Sequence, residues 1–299
     1  MLLVPAMPFA GRTPDEAYAP EVDAAERHGL PHALLDLEAL LDGHLTRALR
    51  WLPRHLDASP LVYRGWMLRP EAYDALHAAL IERGARLLTD PSAYRFTHLL
   101  PSWYDALRDD TPRSTWIPGD TPSDVNHAHV DAALDTFGGS PLIVKDYVKS
   151  RKHEWSQACF IPDASDRPSA RHVIDTFLAR QGRDLVGGLV LREFERFAAL
   201  SAHSKSGMPL TREHRLFVLD GKVVLSSEYW EEGEYHGETV PIHAFEALAA
   251  RVPSRFFTMD VAKREDGAWR VVELGDGQVA GLPERANVDA LFAALARLT

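Results

Sequence analysis

Residues 256–277 read FFTMDVAKREDGAWRVVELGDG. Apolar residues fill both arms and Asp266-Gly267 marks a turn between them, so the stretch reads as an antiparallel hairpin. Folded about that turn, Asp260 in one arm comes close to facing Glu273 in the other. Two facing carboxylates repel each other unless a cation lies between them. With Asp276 added, they form a set of hard oxygen donors suited to Mg²⁺, which commonly takes one or two carboxylates plus substrate phosphates. A carboxylate turned to solvent, or paired with Arg255 or Lys263, is the plainer alternative, but the apolar flanks favour burial.

The segment just upstream repeats the pattern. HRLFVLDGKVVLSSEYW (214–230) carries Asp220-Gly221 at its centre, the preferred pair for a tight two-residue turn. Glu213 and Arg215 lie two apart and share one face of that strand, where they either pair with each other or serve a ribose and a phosphate. GLVLREFERF (188–197) is an apolar strand running into Glu193 and Glu195, placed to pass beside a nucleobase or simply to end in a charged turn. In PLIVKDYV (141–148), Lys145 interrupts an apolar run, and a buried lysine needs an anion such as a phosphate. A lysine on an edge strand facing water would read the same way. The loop KSRKHEWS (149–156) follows, with Lys149, Arg151, Lys152 and His153. It lacks glycine and is therefore not a Walker-type phosphate loop.

The first part of the chain differs. MLLVPA, HALLDLEALL, PLVYRG and ARLLTD read as strands, separated by helical stretches near 16–29, 45–56 and 70–84. That alternation predicts a small parallel α/β layer. STWIP (114–118), a helix over 123–137, SQACFI (156–161) and a helix over 168–182 follow, and a terminal helix spans 287–298. The expected fold class is thus α/β plus α+β, with boundaries near residues 92 and 190: 1–92 as the α/β layer, and 93–190 and 191–299 as two α+β lobes.

Composition narrows the function. The 299 residues carry a formal net charge of −10, which argues against binding nucleic acid through its phosphates. Cys159 is the only cysteine, so neither an internal disulfide nor a cysteine zinc site is available. No apolar run approaches the ~20 residues of a membrane span, and the N-terminus does not read as a signal peptide, so a cytoplasmic location without membrane contact is expected.

The order of these features resembles the ATP-grasp superfamily over residues 95–285: a lysine strand, a flexible loop, an acidic adenine hinge, a Glu-x-Arg strand and a final Asp…Glu hairpin. IVKDYVKSRKHEW, LVLREF, EHRLFVLDGKVV and ELGDGQVAGLP look most like its clade named for two arginines and a lysine. The resemblance implies a Rossmann-like pre-ATP-grasp domain before two lobes that clasp ATP. It implies Lys145 on the ATP phosphates, Glu193 and Phe194 against adenine, Glu213 toward the ribose, and Arg215 near the transferred phosphate. Asp260 and Glu273 would then hold Mg²⁺.

The chain departs from that pattern in three places. Gly275 stands where an asparagine is common, with Asp276 as its expected stand-in. Thr258 stands where an arginine is common, a role left to Arg192 or Arg215. A lysine expected near 93–105 is missing, and only Arg95 is offered there.

The implied activity is ligation of a carboxylate to an amine (or thiol) through an acylphosphate, with ADP and phosphate as products, on an amino acid or peptide. Loop 149–156 is the expected lid, and a homodimer the default assembly. A phosphotransferase on the same fold, a catalytically silent ATP-binding partner protein and an RNA-end ligase are the alternatives, the last disfavoured by charge. Arg64, Trp66, His203, Lys205, Tyr229, Trp230 and Gln278 are candidates to line an acceptor pocket.

Overall fold

The computed structural model describes residues 1–8, 11–56, 60–235 and 237–298. Strands β1 (Leu2–Pro5), β2 (His32–Leu35), β3 (Pro60–Tyr63) and β4 (Arg86–Leu87) form a parallel sheet in the order β2-β1-β3-β4. Side chains alternate across it. Leu2 and Val4 pack with Leu291, Phe292 and Leu295 of the C-terminal helix Val288–Ala296, whereas Leu3 packs with Tyr73 and Leu76 of the helix Pro70–Ile81. The last helix of the chain therefore closes the first sheet.

Within this layer the strand expected through HALLDLEALL ends at Leu35. Asp36 accepts from the Ala39 N–H at 3.1 Å and caps a helix at Leu37–Leu41, so a side-chain cap overrides the apolar run. The helix expected over 45–56 is a single turn, Leu45–Ala48. The boundary set near residue 92 falls in a helix, Pro91–His98, that the sequence reading did not include; Asp90 caps it and Pro91 opens it.

The middle sheet is antiparallel, in the order β5-β8-β6-β7, from β5 (Ser114–Pro118), β6 (Leu142–Asp146), β7 (Phe160–Ile161) and β8 (Gly188–Glu193). The boundary set near 190 lies inside β8. The stretch SQACFI is half helix, Trp155–Ala158, before the two residues of β7. A small pair, β9 (Ala199–Ala202) and β10 (Pro209–Thr211), follows and was also absent from the sequence reading.

The last sheet holds β11 (Glu213–Leu219), β12 (Lys222–Glu228), β13 (Phe256–Lys263) and β14 (Trp269–Asp276), in the order β12-β11-β13-β14. Asp220 and Gly221 both take positive φ, 47° and 77°, as the tight β11–β12 turn requires. One face of β11 and β13 (Leu216, Val218, Phe257, Met259, Val261) packs against Trp103 and Phe245 from two covering helices. The other face carries Glu213, Arg215, Thr258 and Asp260, and then Phe217 and Phe256 where it meets the first layer.

Candidate functional site

The β13–β14 pair decides the site. Lys263, Ala262 and Val261 face Trp269, Arg270 and Val271, but Asp260 faces Glu273, so Val272 is one extra residue in β14. Without that bulge Asp260 would face Val272, and Glu273 would point into the core beside Met259. The bulge carbonyls are satisfied from outside: Thr111 Oγ1 donates to Val271 O at 2.8 Å and Arg192 Nη2 to Val272 O at 2.6 Å.

Each carboxylate is met by a cation. Arg215 forks onto Asp260 with contacts of 2.8 and 2.7 Å, and donates to Gly281 O at 2.9 Å. Lys145, buried on β6, forms an ion pair with Glu273 that joins the middle and last sheets. Burial works to raise the Glu273 pKa, but Lys145, Lys152 and Arg192 outweigh it and hold the carboxyl below its ordinary value. For Glu213, on the same face, the balance reverses: burial outweighs the pull of Lys152 and Arg215 and pushes its pKa up to about 7.

Asp276 does not join them. It lies three residues beyond Glu273 and opposite Phe257, on the other face of the sheet, where its carboxylate accepts from the Gln278 N–H at 3.0 Å. Full burial pushes its pKa up to about 7. Among the described residues no three His, Cys, Asp or Glu side chains converge as a metal-binding group. Asp260 and Glu273 remain, a two-carboxylate donor set of hard oxygens that fits Mg²⁺ completed by phosphates.

Two cavities open on this face. One is lined by Ile143, Lys145, Trp155, Phe194, Met208 and Glu213 among others, and is largely apolar. Trp155 stacks on Phe160 at 4.9 Å, and Phe194 meets Phe160 edge-on at 5.1 Å. Glu193 lines it too, paired with Arg113 at 3.2 Å. The second holds Asp260, Arg215, Thr258, Tyr229, His98 and Lys149. Ser150, Lys152 and Glu273 line both, so the cavities meet there.

The sequence departures have local causes. A Cβ on Gly275 would sit 2.8 Å from Thr258 Oγ1 across the strand pair, so the glycine makes room for Thr258. Arg95 is bound to Asp74 and lines neither cavity. Of the acceptor-pocket candidates, Tyr229 lines the second cavity and Trp230 the first. Arg64 is fully buried on Glu21, Gln278 bonds Tyr63 N and Tyr73 Oη, and Trp66 donates to Asp15 at 2.9 Å. His203 and Lys205 line neither cavity. His98 was missed, because the helix carrying it reads from sequence as a loop; Lys152 was seen only as one charge of a basic loop.

A family model for the ATP-grasp domain, described as the third family of the clade named for two arginines and a lysine, matches residues 136–295. That span includes the β6 lysine, the Asp260–Glu273 pair and the C-terminal helix. The chain belongs to the ATP-grasp family. Solved structures repeat this ATP-grasp architecture along the whole chain. D-cycloserine synthetase DcsG aligns with a TM-score of 0.60 at 17% identity, covering 100% of this chain and 99% of its own. The ATP-grasp ligase PsnB, solved with a minimal precursor, Mg and ADP, aligns at 0.55 and 15%, covering 99% and 97%. A RimK domain ATP-grasp protein from Sphaerobacter thermophilus DSM 20745 aligns at 0.55 and 15%, covering 100% and 99%. At these identities the likeness concerns the fold. No curated protein matches the ATP-grasp chain in sequence, and no described helix is long and apolar enough to cross a membrane.

Proposed function

We propose that this ATP-grasp chain is a ligase that uses ATP and Mg²⁺ to activate a carboxylate as an acylphosphate and pass it to an amine. The observation that carries this reading is the shared wall of Ser150, Lys152 and Glu273 between an aromatic, apolar cavity and a charged one. The first suits a nucleobase and ribose, with Phe194 and Trp155 beside the base and Glu193 and Glu213 as hydrogen-bond acceptors. The second suits the carboxylate and amine. The structures of PsnB with Mg and ADP and of D-cycloserine synthetase, both on this fold, support the assignment by likeness.

Asp260 and Glu273 would hold the magnesium, which when bound supplies charge neutralisation to the phosphates. Lys145 and Arg215, now paired with those two carboxylates, are placed to turn to phosphate oxygens and offset charge as the γ-phosphoryl moves. A substrate carboxylate oxygen bonds to the γ-phosphorus and ADP leaves. The amine then attacks the acyl carbon and phosphate leaves. The protein positions and excludes water rather than forming bonds of its own, with loop 149–156 as the lid. Arg192 supports the bulge that aims Glu273. The clade named for two arginines and a lysine is the finer placement we propose, since Arg192, Arg215 and Lys145 surround the Asp260–Glu273 pair. The same reading implies a division at residues 92 and 190 into a pre-ATP-grasp layer and two lobes.

Calorimetry of ATP with and without Mg²⁺, on the native chain and Glu273→Ala, tests the reading. Magnesium-dependent binding that collapses in the variant is expected. Absence of binding under every condition removes the nucleotide assignment. A panel of amino acids and short peptides, followed by phosphate release and by mass, then separates a ligase from a phosphotransferase.

A further inference from the structure

The His98 imidazole, the Thr258 hydroxyl and the Lys152 ammonium all reach this face without a part in the reaction described above. Lys152 is carried furthest by its surroundings. We propose that Lys152 is the cation that grips the terminal phosphate of the bound nucleotide, at the opening between the two cavities. The inference rests on the nucleotide reading above and adds a specific contact to it.

The argument is one of place and of pairing. Lys152 lines the aromatic cavity with Phe194 and Glu213, and the charged cavity with Asp260 and Arg215. A phosphoryl group passing from nucleotide to acceptor must cross that opening. The other two cations there are already matched, Lys145 to Glu273 and Arg215 to Asp260. Among the described residues, no carboxylate lies within ion-pair distance of Lys152.

Its Nζ rests instead over two aromatic rings, 5.4 Å from the centre of Trp230 and 5.7 Å from that of Tyr229. Arg215 lies over the same Tyr229 ring at 4.7 Å. A ring face holds an ammonium in position without cancelling its charge, so the lysine keeps its full attraction for an incoming anion. Burial opposes the charged form, but Tyr229, Glu213, Glu273 and Asp260 outweigh it and the Lys152 pKa is raised. The ammonium is therefore charged across the working pH range. Its place on loop 149–156 lets that contact form as the loop closes over the nucleotide.

The test counts phosphates. AMP, ADP and the non-hydrolysable AMPPNP are titrated with Mg²⁺ into the native chain, Lys152→Met and Lys152→Arg, with melting curves to check folding. A charge-assisted contact to the last phosphate predicts that Lys152→Met weakens AMPPNP by about 10- to 100-fold and leaves AMP within about twofold. Lys152→Arg should recover most of the loss. An equal loss for AMP and AMPPNP would show that Lys152 only props Tyr229 and Trp230, and would overturn the proposal, as would no loss at all. If Lys152→Met does not fold, Lys152→Gln carries the same comparison. Failure of the native chain to bind any of the three nucleotides would instead remove the nucleotide reading itself, and this contact with it.

Discussion

Arg192 donates to the carbonyl oxygen of Val272 at 2.6 Å, at the residue by which β14 exceeds β13. That extra residue turns Glu273 from the core face to the cavity face. The same guanidinium nitrogen donates to Thr111 Oγ1 at 2.8 Å, so one buried side chain ties three segments together. Arg192→Met should therefore leave a buried carbonyl without a donor, at a cost of about 1–3 kcal/mol. Urea unfolding measures that cost. Calorimetry should also show weaker dependence of nucleotide binding on Mg²⁺, because Glu273 loses its aim.

Gly275 and Thr258 form a second matched pair. A methyl group at 275 would press on a buried hydroxyl at 2.8 Å, and Thr258 is too stiff to yield. Gly275→Ala is expected to lose about 1–3 kcal/mol. Adding Thr258→Ser, which has one fewer methyl and can turn its hydroxyl aside, should restore most of it. Thermal melting of the single and double variants gives the coupling; additive losses would refute the steric account.

Arg64 anchors the segment that follows the site. It is fully buried, bonded to Glu21 at 2.6 and 2.7 Å and to Ala280 O at 2.9 Å, and it also donates to Gly277 O. Removing one partner of a buried pair leaves an uncompensated charge. Arg64→Met should cost about 3–5 kcal/mol. Arg64→Met with Glu21→Gln should cost less than Arg64→Met alone, as read by denaturant midpoints.

His98 sets a pH dependence. It stacks on Tyr94 at 4.8 Å, and burial, reinforced by Lys149 and Lys145 against Glu273, pushes its pKa down to about 4. The folded state thus favours the neutral ring. This contribution to stability is fully present above the ordinary histidine value near 6.5 and is lost as pH falls from there toward 4. The total lost is on the order of 3 kcal/mol. His98→Phe keeps a ring for Tyr94 and removes the titration, so its stability should fall less than that of the native chain between pH 7 and 4. Parallel curves would refute the assignment.

The carriers of the site were legible in the sequence wherever a short-range pattern specified them. The alternation in FFTMDVAK and the turn pair Asp220-Gly221 define strands and hairpins locally. The interrupted apolar run around Lys145 marks a buried charge. Elements whose limits depend on one side-chain contact were not legible. Asp36 stops a strand that the apolar run would continue, and Asp90 starts a helix in a stretch without clear periodicity.

By itself, then, the sequence determined the kinds of layer, the order of the site-bearing strands and the two facing carboxylates, because pleat and turn act over a few residues. Tertiary structure alone decided which carboxylates share a face. Asp276 and Glu273 differ by three positions, an odd step along a strand, and only the bulge held by Arg192 and Thr111 puts Glu273 on the side of Asp260. It also decided which cations are matched with a carboxylate. Ion pairs such as Lys145–Glu273 form between residues 128 positions apart, and no local pattern records them.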